Sequence, residues 1–148
     1  MPTKKFQSIV KDVGSELLVT GGFQFRNEGE GFLAFWRPGK PGLIEGVAIY
    51  RSPKVIGFTV EIGVVPEGQK LSWAMPSDSG MWQEVGLRER LGALIHGDRF
   101  KGNLLDRDFY RFEDEKSLRD QLQVAFAEVL RHGPDAWNRL SHRLRSES

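Results

Sequence analysis

The chain has 148 residues, a net charge of +1, 39% hydrophobic and 28% charged residues, a balance that suits one globular domain (1–148) and argues against a disordered chain. It has no cysteine, which excludes disulfides, thiolate catalysis and cysteine-ligated metal centres. Its 21 basic and 20 acidic residues are spread over both halves, so no concentrated positive field marks a nucleic-acid binder.

Phe6, Ile9, Val10, Val13 and Leu17 recur at helical spacing, with Lys4, Lys5, Lys11, Asp12 and Glu16 opposite. The pattern predicts a first amphipathic helix capped by Thr3 and stopped by Gly21 and Gly22. Four strands follow. The first, 23–27, alternates Phe23 and Phe25 with Gln24 and Arg26, and Glu28-Gly29-Glu30-Gly31 turns the chain. The second, 32–37, is apolar on both faces, as a strand inside the sheet or under a second layer must be. The third covers 43–51. Pro53 suits the next turn. The fourth, 55–65, places Ile56, Phe58, Val60, Ile62 and Val64 on one face and Gly57, Thr59, Glu61 and Gly63 on the other.

Pairing Ser52 with Val55 sets Ile49 opposite Phe58 and Tyr50 opposite Gly57. A slip by one residue would oppose Glu45 and Glu61, a destabilising like-charge pair. The preferred register groups Tyr50, Thr59 and Glu61 on the face away from the first helix.

Beyond Pro66 the pattern weakens. It suggests a short edge strand over 71–75, a helix over 85–95 carrying Leu87, Leu91 and Leu94, a loop over 97–108 and an extended stretch over 108–112. The strongest helix starts at Asp114, whose side chain can cap it. Leu118, Leu122, Ala125, Phe126, Val129 and Leu130 form its stripe, and Gly133-Pro134 is expected to end it. A last short helix, 135–144, presents Trp137, Leu140 and Leu144. The expected fold is α+β: an antiparallel meander of four to five strands, packed on one face by the N-terminal helix and the C-terminal helices.

Val47-Ala48-Ile49-Tyr50-Arg51-Ser52, Phe58-Thr59-Val60-Glu61-Ile62-Gly63-Val64 and Leu87-Arg88-Glu89-Arg90-Leu91-Gly92 stand in that order between a first helix ending at Gly22-Phe23 and a closing helix. With the hairpin from Phe25 to Trp36, this order resembles the bacterial DUF4304 family, small proteins of undefined function. The resemblance spans most of the chain and implies a fold more than an activity. The chain departs from the family pattern at Tyr50-Arg51-Ser52 and at Glu61, on the polar side of the sheet.

Chemical motifs are sparse. His96, His132 and His142 have no helical metal-ligand spacing, and His132 suits a helix C-terminus. No Gly-x-Ser-x-Gly elbow and no Walker A sequence occurs. Glu113, Asp114 and Glu115 belong at a helix start, where acids are favoured without any metal. Arg131, Arg139, Arg143 and Arg145 read as a solvated helix face.

The candidate ligand-binding residues are therefore Tyr50, Arg51, Thr59, Glu61 and Arg88, above a floor thinned by Gly46, Gly57 and Gly63. The competing account is that the C-terminal helices cover that floor. Trp73 and Trp82, near Met75 and Met81, are candidates for contacting a partner protein. No cofactor, metal or catalytic residue is expected. No apolar run approaches the roughly 20 residues that span a bilayer, and the N-terminus lacks an apolar signal core, so a cytoplasmic location is expected. The expected function is a noncatalytic binding or accessory protein that docks another protein, with an immunity-type protein as one form of it; the alternative is a small-molecule binder or enzyme using the polar face of the sheet.

Overall fold

The computed structural model describes residues 1–29, 31–52, 56–68, 87–96 and 109–146. Helix α1, Thr3–Leu17, buries Phe6, Ile9, Val10 and Val13. Pro2, and not Thr3, occupies its N-cap, with no side-chain cap bond. Thr3 is already helical, one position too far in to cap. A 3-10 turn, Leu18–Gly21, follows, and Gly22 takes a left-handed φ of 89°. That conformation favours glycine and redirects the chain into the sheet.

Strands β1 (Gln24–Gly29), β2 (Phe32–Pro38), β3 (Leu43–Arg51) and β4 (Gly57–Pro66) form an antiparallel meander. β1 carries an irregularity at Arg26, between Phe25 and Asn27. The outer edge of β4 is shared by two more strands. β5 (Leu87–Arg90) pairs with Glu61 to Val64, and β6 (Tyr110–Arg111) pairs with Gly57 and Phe58. The arrangement is α+β, with six described strands in the order β1-β2-β3-β4-β5 and β6 alongside β4.

The register of β3 on β4 differs by two residues from the sequence expectation. Ile49 faces Val60, Tyr50 faces Thr59 and Ala48 faces Glu61. The turn is longer than the pairing of Ser52 with Val55 required. Ser52 N–H bonds the Gly57 carbonyl at 2.9 Å, and Ile56 precedes the strand with 68% of its surface exposed. A two-residue shift keeps every side chain on its face, so the alternation could not report it.

Helix α2 (Leu91–His96) follows β5 directly. The segment expected as one helix over 85–95 is thus half strand, because the backbone of β4 offers an edge to pair and Leu87 to Arg90 fits it in extended form. The edge strand expected over 71–75 and the loop over 97–108 lie outside the described residues.

Helix α3, Glu115–Ser146, runs through Gly133 and Pro134, where the sequence predicted a stop. Asp114 caps it as expected: its Oδ1 accepts from Ser117 N–H at 2.8 Å, while Ser117 Oγ accepts from the backbone N–H of Asp114 at 3.0 Å. Gly133 does not adopt the positive φ of a terminating glycine. A Cβ there would lie 2.3 Å from the Trp137 ring. Close packing of that ring, and burial of Trp137 and Leu140, carry the helix past a residue that costs a backbone hydrogen bond.

The three described helices contribute to one core with the same face of the sheet. Phe6, Val10 and Val13 of α1, Leu91 of α2, and Leu122, Phe126 and Trp137 of α3 cluster with Leu33, Phe35, Val47, Ile49, Val60 and Ile62. Each such side chain contributes about 1.5–3 kcal/mol of transfer free energy. Arg37 sits in this layer. Its guanidinium lies 4.4 Å from the Phe23 ring and 4.6 Å from the Trp137 ring, and bonds Glu45 Oε1 at 2.7 Å and the Gly21 carbonyl at 2.6 Å. No described helix is long and apolar enough to cross a membrane.

Candidate functional site

The second face of the sheet carries the complementary set of residues. Ala34, Ala48 and Val65 are fully buried there, with Trp36, Ile44 and Tyr50 packed beside them. The pairing ladders set Phe32, Tyr50 and Thr59 in one row, and Ala34, Ala48, Glu61 and Arg90 in the next. Trp36, Gly46, Gly63 and Arg88 form the third row.

Within this small apolar cluster lies a polar group built from three strands. Glu61 of β4 is only 5% exposed. Its Oε2 accepts from Arg88 Nη1 of β5 at 2.8 Å. The same Nη1 lies 3.5 Å from the hydroxyl of Tyr50 on β3. Arg88 itself is 10% exposed through its side chain. Withdrawing two charges this far from water costs several kcal/mol per ion, and their attraction recovers that only with good geometry and further bonds. Burial pushes the Glu61 carboxyl above its usual value, against the opposing pull of Arg88 and then Arg90. Burial also raises the Tyr50 phenol, with the Glu61 charge adding to the shift, so the hydroxyl stays protonated at neutral pH. The group thus presents a carboxyl whose pKa burial raises, a phenol and a guanidinium.

Four of the five candidates read from the sequence share this face. Tyr50, Glu61 and Arg88 meet, and Thr59 stands across from Tyr50, half-buried. Arg51 does not belong with them. It faces Phe58 in the ladder, its guanidinium lies 5.3 Å over the Phe6 ring, and it donates to the Met1 carbonyl on the helix side. Adjacent residues of a strand point to opposite faces, so Tyr50 and Arg51 could not both reach the site. Trp73 and Trp82 lie outside the described residues.

Arg90 is the residue that sequence reasoning missed. It pairs opposite Glu61, and its charge acts on that carboxyl. Reading 85–95 as a helix hid it. In a strand, the spacing of two between Arg88 and Arg90 puts both on one face.

The C-terminal helices do not cover this floor, since α3 packs on the opposite side with α1. His132 and His142 belong to α3, away from the polar group. Among the described residues no three acidic or histidine side chains are placed to hold a metal ion. Compared with known proteins, the chain matches no family model, no curated protein and no solved structure.

Proposed function

We propose that this protein is a noncatalytic binding protein whose recognition centre is the Tyr50–Glu61–Arg88 group. The observation that supports it most is the convergence of those three side chains, from three strands, in an otherwise apolar cluster. A few polar groups placed among apolar ones fix the orientation of a bound molecule. Glu61 is held by Arg88, and the Tyr50 hydroxyl keeps its proton, which suits hydrogen bonding better than base or nucleophile chemistry.

Docking of another protein, the reading that leads from the sequence, is the second proposal. It is favoured by the Trp, Tyr and Arg content of the same face, residue types that dominate interface energetics. Among the described residues, the exposed large hydrophobics Met1, Val19, Ile56 and Val124 fall on four separate segments and give it less support. Kinship with the DUF4304 family is likewise a proposal, resting on the three motifs quoted above.

Affinity purification under native conditions separates the readings. Proteins and small molecules released from wild type would be compared with those from Arg88→Met and Arg51→Met. A small molecule retained by wild type and Arg51→Met, and lost from Arg88→Met, is the expected result. A stoichiometric protein partner insensitive to Arg88→Met would overturn the first proposal in favour of the second.

A further inference from the structure

Helix α3 runs unbroken from Glu115 to Ser146, yet its two halves are held differently. Leu118, Leu122, Ala125, Phe126 and Val129 anchor the first half in the core, and Arg119 ties it to Asp12 of α1 at 2.9 Å. Gly133 and Pro134 stand between the halves. Proline has no N–H, so the Leu130 carbonyl receives no helical bond from position 134, and only proline is a poorer helix former than glycine. The helix is least supported by its own backbone at this point.

Beyond Pro134 the helix is kept in place by what it docks on. Trp137 and Leu140 are each 1% exposed, and Trp137 Nε1 reaches the Gly46 carbonyl at 3.2 Å. Lys40 Nζ bonds Asn138 Oδ1 at 2.6 Å, Arg139 bonds Glu89 at 2.7 and 3.0 Å, and Arg145 bonds the Pro41 carbonyl at 2.8 Å, all at the surface. Exposed polar ties of this kind contribute little. Docking also carries a cost. Ser141 is fully buried, and among the described residues its Oγ meets no hydrogen-bond partner, not even the Trp137 carbonyl one turn back. A hydroxyl shut away from water in this manner favours any state in which it is wetted.

We propose that residues 135–146 form a separately opening unit, hinged at Gly133-Pro134, that leaves the core while the sheet, α1 and the first half of α3 stay folded. The opening uncovers Trp137 and Leu140 and brings Ser141 into water. It makes the end of α3 a switchable apolar surface built into the fold, and it does not depend on the binding reading above.

Native-state hydrogen exchange on the full chain, read residue by residue by NMR, tests this. The amides of 138–144 are expected to share one opening that is reached at lower denaturant than the opening of 118–129. Leu122→Ala should speed exchange in 118–129 by roughly thirtyfold or more and leave 138–144 unchanged, because the open form keeps the contacts of Leu122. Ser141→Ala removes the unpaired hydroxyl and should slow exchange at 138–144 about tenfold. Equal acceleration of both halves by Leu122→Ala means that the helix opens in one step and overturns the proposal. Unchanged or faster exchange at 138–144 in Ser141→Ala overturns it as well. If Leu122→Ala does not fold, the denaturant dependence of the two halves in wild type decides, and coincident openings overturn the proposal.

Discussion

Glu61 concentrates the chemistry of this molecule in one side chain. Its folded value is raised by burial, so its share of stability is fully present below the unfolded value, near 4.5, and is lost as the pH rises through the folded value. Urea unfolding across roughly pH 4 to 8 should therefore show wild type losing stability relative to Glu61→Gln as the pH increases. A difference that stays constant, or grows in favour of wild type, contradicts that assignment. Arg88 bears the complementary test. Arg88→Met strands a buried carboxylate and is expected to cost about 3–5 kcal/mol, whereas Glu61→Leu combined with Arg88→Met should recover most of the loss. Equal destabilisation by the single and double variants would show that the pair is not the relevant partnership. The sequence reveals Glu61 through its place on the polar side of an alternating strand. It conceals the partner, because nothing local shows that Arg88 stands in a strand opposite Gly63.

Elements were legible to the degree that local pattern and tertiary packing agree. β4 reads clearly because its alternation matches a sheet with one face under helices. Its register could not be read, because the turn after Arg51 sets it and a shift of two leaves every face intact. α3 shows the opposite case. Gly133-Pro134 is a strong local stop signal, and the packing of Trp137 overrides it. Two substitutions separate the contributions. Gly133→Ala drives a methyl group into the Trp137 ring and is expected to destabilise by about 1–3 kcal/mol, although alanine is the better helix former. Pro134→Ala restores a backbone donor at an exposed position and should stabilise by about 1–2 kcal/mol, after its gain in unfolded-chain entropy is offset. Thermal and urea melts of both variants decide. Stabilisation by Gly133→Ala would mean that the ring does not lie against the helix backbone.

At the scale of the whole molecule, the sheet divides its labour between two faces. One face holds α1, α2 and α3 over a single large core, tied across its centre by Trp137 Nε1 donating to the Gly46 carbonyl at 3.2 Å. The other holds the small apolar cluster with its buried polar group. Composition and periodicity announced the two-layer arrangement, since amphipathic helices and a half-alternating sheet have no other way to bury their stripes. They did not announce which face the last helix would take, because the covering of a floor depends on where the chain leaves the sheet edge.

The separation of the polar group from the helices is what the functional account depends on, and side-chain nuclear Overhauser contacts in the labelled protein measure it directly. Contacts from Arg88 to Tyr50 and Glu61, and from the Trp137 indole to Gly46, are the expected result, with none between α3 and Thr59 or Tyr50. Contacts from α3 to Tyr50 or Glu61 would place the helix over the site and contradict the account.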